Sequence, residues 1–127
     1  MSGRVVHFEI PYGDGDRARS FYKEIFDWQL VTMPEMGGYT LVMSGPSTDQ
    51  GPSESGFING GMLSRADAAT SGPVIVIDVP SIDETLGRIT GLGGTVVAPK
   101  TPVGDMGFAA YVTDPEGNVI GLWETAG

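Results

Sequence analysis

Arg4-Val-Val-His-Phe-Glu-Ile-Pro11 and Val74-Ile-Val-Ile-Asp-Val-Pro80 make the same statement twice. Each is a strand-like run closed by a proline, and each is followed by a stretch with helical spacing. Short apolar runs come next, and each half ends on a glycine-centred one: Ile58-Asn-Gly-Gly-Met-Leu63 and Val119-Ile-Gly-Leu-Trp123. The reading is an α+β chain of two βαβββ repeats forming curved mixed sheets, with the helices on the outer face. The repeats run over about residues 4–64 and 73–124 of a single domain spanning 1–127.

Local signals fill in this frame. In the first helix, expected over about residues 15–27, Asp14 or Asp16 supplies the N-cap, and Ala18, Phe21, Tyr22, Ile25 and Phe26 form an apolar stripe. Strands follow at 28–33 and 39–43. Residues 44–56 contain no large apolar side chain and read as a mobile loop, and 57–63 read as the fourth strand. The second helix, expected over about 82–92, opens on the capping box Ser81-Ile-Asp-Glu84 and closes at Gly93-Gly94. The last strands are 95–98, 107–112 and 118–123, with a tight turn at Asp114-Pro-Glu-Gly117.

Strand parity sorts the side chains. Phe8, Ile10, Ile75, Ile77, Ile120 and Leu122 should pack beneath the helices. Val5, His7, Glu9, Val74, Val76, Asp78, Val119, Gly121 and Trp123 should face the other way. A curved, half-apolar face of this kind makes a pocket. Glycines inside strands leave room for close approach of a ligand or another backbone.

Composition removes several function classes. The chain has no cysteine, which excludes a disulfide framework, a thiolate metal site and a cysteine nucleophile. Sixteen acidic residues against seven Lys and Arg give a net charge of −9, the opposite of a nucleic-acid footprint. No apolar run reaches the length of a membrane span and no signal peptide precedes the first strand, so a cytoplasmic protein without membrane contact is expected.

Four pieces in this order resemble the vicinal oxygen chelate superfamily, which holds glyoxalase I, bleomycin-resistance proteins, fosfomycin-resistance enzymes and extradiol dioxygenases. They are Val6-His7, Arg17 through Phe21-Tyr22, Gly93-Gly94, and Asp114-Pro-Glu-Gly-Asn118. The likeness covers nearly the whole chain and is greatest to a short glyoxalase-like branch. Metal-using members place one ligand on each of four strands. The first position matches His7; the others fall on Gly61, on Val74 or Val76, and on Gly121, none of which offers a donor. Glu124 has the wrong parity to replace them, whereas Glu9 and Asp78 have the right parity to join His7 as an unconventional set.

The resemblance therefore implies a pocket lined by His7, Glu9, Gly61, Asp78, Phe108, Gly121 and Trp123, with Tyr39 and Tyr111 as further flat walls and with no metal or cofactor. It implies a small-molecule binding or sequestering protein, with a metal-dependent lyase or dioxygenase as the alternative and a degenerate interaction scaffold as a third reading. Open sheet edges, and the family's habit of pairing modules, imply a homodimer.

Overall fold

The computed structural model describes residues 3–127. Its strands are β1 (Val5–Tyr12), β2 (Gln29–Met33), β3 (Tyr39–Met43), β4 (Ser47–Thr48), β5 (Gly51–Pro52), β6 (Gly60–Ser64), β7 (Val74–Asp78), β8 (Thr95–Val103), β9 (Gly107–Thr113) and β10 (Val119–Thr125); its helices are α1 (Gly15–Phe26) and α2 (Ile82–Gly91). The chain divides into two compact units. One is His7–Pro73, and the other joins the described residues up to Val6 with Val74–Gly127. The first residues go with the second half because the Asp78 N–H donates to the Arg4 carbonyl at 2.9 Å.

In the N-terminal unit the strand order is β2-β3-β6-β1, with β6 parallel to β1 and the other pairs antiparallel. The Asp14 carboxylate accepts from the Arg17 N–H and starts α1, which ends on Asp27 in the left-handed region. Val42 and Met62 are fully buried on the helix-facing side. From there an aromatic series runs outward: Phe8 against Trp28, then Tyr22 stacked on Trp28 at 5.1 Å, then Phe21 edge-on to Tyr22. The apolar stripe of α1 is nevertheless not buried: Phe21, Ile25 and Phe26 are all more than half exposed.

Residues 44–56 differ from the expected mobile loop. They fold into the β4–β5 hairpin, closed by the Ser53 N–H and hydroxyl on the Pro46 carbonyl. Asn59 ties it down, accepting from the Ser44 N–H and donating to the Ser47 hydroxyl. Polar side chains supply the order that the missing apolar residues do not.

In the C-terminal unit the order is β7-β10-β9-β8, with β7 parallel to β10. Ile82, Ala110, Val112 and Leu122 form the buried core, joined by Val79, Leu86, Ile89, Phe108 and Ile120. Helix α2 packs over β8, β9 and β10. Ile75, expected beneath it, is 46% exposed. The edge strand β8 runs on to Val103 through two register shifts and two prolines, which blunt it against further pairing.

The capping box is half realised. The Ser81 hydroxyl accepts from the Glu84 N–H, but the Ile82 N–H is capped from β10, by the Glu124 carboxylate at 2.8 Å. Lys100 lies 3.6 Å from the same carboxylate and 3.3 Å from Asp83. Parity placed Glu124 on the helix side, and its task there is to hold α2. Glu124→Ala should lower stability by about 1 kcal/mol, the usual worth of an N-cap, in urea denaturation. No change would show that the cap contributes nothing.

Candidate functional site

Strand β1 carries two polar side chains, His7 and Glu9, on the face away from α1. Opposite Glu9 in register is Gly61 of β6, and opposite Gly61 on the far side is Leu41 of β3. Two residues before Leu41, on the same face, stands Tyr39. Its ring lies over Gly61, so closely that a Cβ there would collide with the phenol. The Tyr39 hydroxyl donates to Glu9 Oε2 at 3.2 Å and sits 2.9 Å from His7 Nε2. Glu9 is 9% exposed.

With Glu9 ionised, the two hydrogen bonds of the Tyr39 hydroxyl take one common direction. A carboxylate only accepts, so the phenol proton points to Glu9. The phenol oxygen then accepts from His7, which carries its proton on Nε2. The result is a directed chain from imidazole N–H to phenol O–H to carboxylate. Burial holds the His7 imidazole below its ordinary 6.5, outweighing the opposing effect of the Glu9 charge.

That depression has a measurable consequence. As pH falls through 6.5 the unfolded chain takes up a proton before the native protein does, so the native state loses stability. The loss from this group stops once pH passes below its native value. His7 is the one histidine of the chain, so its contribution can be isolated. The wild-type urea midpoint should drop more than that of His7→Gln between about pH 7.5 and about pH 5.5, a window that brackets an unperturbed imidazole. Equal drops would contradict the assignment.

The structure thus brings His7, Glu9 and Gly61 together, but not as an open pocket floor. Tyr39, expected as a flat wall, is the hub of the site. The signal was present: an aromatic two residues from a strand position that pairs with a glycine.

In the C-terminal unit, Gly121 pairs with Val76 and Trp123 with Asp78, and these residues share one face with Tyr111. A Cβ on Gly121 would lie 3.0 Å from the Val76 side chain and 3.3 Å from the Tyr111 ring. Phe108 is a correction. It packs on the α2 side against the core, with the Lys100 ammonium 4.5 Å from its ring centroid. Phe108 and Tyr111 are three residues apart on one strand, so a two-residue period puts them on opposite faces. A groove of about 650 Å³ also lies on this α2 side, lined by Ile77, Glu84, Arg88, Ile120 and Leu122. It includes neither Gly61, Gly121 nor Trp123, but Asp78, expected on the opposite face, contributes to its lining.

The donor set does not suit a metal ion. Val74 and Val76 are buried hydrocarbon, and both His7 Nε2 and Glu9 Oε2 are engaged by the Tyr39 hydroxyl, whose ring covers Gly61. Among the described residues no three His, Cys, Asp or Glu side chains are grouped to hold one. Among those residues, too, no helix is long and apolar enough to cross a membrane.

Comparison with known proteins agrees with this architecture. "Probable lactoylglutathione lyase" of Vibrio parahaemolyticus is 33% identical over 125 residues, 95% of this chain and 90% of that protein. Lactoylglutathione lyase of Haemophilus influenzae is 27% identical over 120 residues, 92% of this chain and 89% of its own. "Putative glyoxylase CFP32" of Mycobacterium bovis is 27% identical over 119 residues, and the match spans 87% of this chain but only 41% of that relative's length. Among solved structures, methylmalonyl-CoA epimerase from Mycobacterium tuberculosis has the same fold, with a TM-score of 0.63 at 18% identity, covering all of this chain and 93% of that one. The family model described as Glyoxalase/Bleomycin resistance protein/Dioxygenase superfamily matches residues 4–122, nearly the full chain, and the protein belongs to that superfamily.

Proposed function

We propose that this protein binds a small organic molecule without a metal and acts by holding or sequestering it. The observation that carries the reading is the His7–Tyr39–Glu9 chain over Gly61. The side chain at the superfamily's first ligand position is committed to a phenol, and the fourth-strand position is a glycine that the phenol covers. What remains is shape, aromatic surface and directed hydrogen bonding, which suits recognition.

Relatives named as lactoylglutathione lyases favour a second reading, a metal-dependent lyase. One experiment separates them. Chelator-dialysed protein should turn over no glutathione hemithioacetal, with or without added Zn²⁺ or Ni²⁺. It should also melt higher in the presence of bleomycin, a cationic aromatic probe, and Tyr39→Phe should diminish that rise. Turnover restored by metal would overturn the binding reading in favour of the lyase.

The proposal includes a homodimer. Its support is α1, where Phe21, Ile25 and Phe26 are 55%, 61% and 53% exposed on one short helix. Val31 on the neighbouring edge strand β2 is exposed as well. Sedimentation at micromolar concentration should show a dimer that Ile25→Glu dissociates; a wild-type monomer would contradict it.

A further inference from the structure

Two apolar surfaces of this chain lie open to solvent, one concave and one convex. The concave one is the groove of about 650 Å³ beside α2 in the C-terminal unit. Ile77, Ile120 and Leu122 line it, and Leu92, also in its lining, is 73% exposed. The convex one is α1 of the N-terminal unit, where Phe21, Ile25 and Phe26 stand out from the helix. Phe21 and Ile25 are one turn apart, the spacing of anchors that seat a helix in a groove.

We infer that α1 of one copy seats in the α2-side groove of a second copy, so that the dimer joins two unlike surfaces. The inference rests on the homodimer reading and names the face that receives α1. A contact between unlike surfaces closes as a dimer when it is used twice, α1 of each copy in the groove of the other.

Charge selects this pairing. The groove is lined by three carboxylates, Asp78, Glu84 and Asp114, against one guanidinium, Arg88. Helix α1 has the opposite balance, in a chain of net charge −9. It carries three of the chain's seven Lys and Arg, namely Arg17, Arg19 and Lys23, against Asp16 and Glu24. The ion pair of Arg19 with Asp16 at 3.0 Å takes out one charge of each sign. Arg17 and Lys23 are exposed, and at about 100° per residue they fall on either side of the apolar stripe. Two α1 faces pressed together would oppose net positive to net positive. Two grooves would oppose carboxylates to carboxylates. The crossed pairing alone sets unlike signs across the contact.

The apolar side chains fit the same scheme. Helix α2 packs over β8, β9 and β10, and Ile75 of β7 is 46% exposed. Ile75 shares its face with Ile77 in the groove by the two-residue period. A helix laid there would cover the β7 side chains that α2 leaves bare.

Complementation between two variants tests the arrangement, read by sedimentation at micromolar concentration. Leu92→Glu puts a charge in the groove on a side chain already mostly in solvent, so the chain should fold and sediment as a monomer, as expected of Ile25→Glu. Mixed in equal amounts, the two variants should form a 1:1 complex. In that mixture α1 of the Leu92→Glu chain and the groove of the Ile25→Glu chain are both intact. Leu92→Ala only trims the same side chain and should weaken the dimer at least about tenfold. A wild-type dimer that both Leu92 variants leave intact would overturn this inference and keep the homodimer. Two variants that stay monomeric when mixed would also overturn it. A monomeric wild type would overturn the homodimer reading and this inference with it.

Discussion

Alanine at Gly60 is expected to cost more stability than alanine at Gly61, although the two residues are adjacent on one strand. A Cβ on Gly60 would sit 2.5 Å from the Phe8 carbonyl oxygen and from its ring. Backbone paired in a ladder cannot step aside, so β6 and β1 must separate. Gly60→Ala should cost about 3 kcal/mol or more, the upper end of the range for overpacking. At Gly61 the colliding atoms are the far end of the Tyr39 side chain. That ring can swing out. Gly61→Ala should therefore stay folded, lose two side-chain hydrogen bonds worth about 1 kcal/mol each, and release His7 from its fixed tautomer. Urea denaturation gives the cost, and the imidazole ¹⁵N spectrum gives the state of His7. Equal stability of the two variants, or a Gly61→Ala spectrum like the wild type, would contradict the packing described.

The second large effect lies in the C-terminal unit. Ile82 is fully buried at the first turn of α2, against Ala110, Val112 and Leu122. Its backbone N–H is held by Glu124, so the helix end cannot move to close a gap. Ile82→Ala should leave a cavity and cost about 2–5 kcal/mol, whereas Ile82→Val should cost about 1 kcal/mol. A loss below about 1 kcal/mol for the alanine variant would show that the site collapses freely, against the rigid N-cap inferred from Glu124.

Much of this molecule was legible in its residues. The doubled strand–proline motif led to two βαβββ units. Asp14, Ser81 and Gly93 marked helix ends to within a residue or two, because caps are local chemistry. Period-two parity put His7 and Glu9 on one face and Glu124 on the other, and the internal repeat pointed to Gly61 through its pairing with Gly121. What escaped depends on partners distant in sequence. The hairpin in residues 44–56 is held by Asn59, whose amide reads as unremarkable in a strand-like run. Phe108 was assigned by chemistry when parity with Tyr111 already opposed it. Tyr39 was visible as an aromatic, but its role needed the register that sets Leu41 across from Gly61. The exposed face of α1 was invisible, since an amphipathic pattern says which side is apolar and not whether anything covers it.

The central claim is that the histidine at the superfamily's first ligand position belongs to a hydrogen-bonded chain with Tyr39 and Glu9 and not to a metal centre. Calorimetric titration of Zn²⁺ into chelator-dialysed protein tests it most directly, with His7→Ala as the control. The expected result is no stoichiometric binding and the same trace for both proteins. One Zn²⁺ bound per chain in the wild type and none in His7→Ala would contradict it.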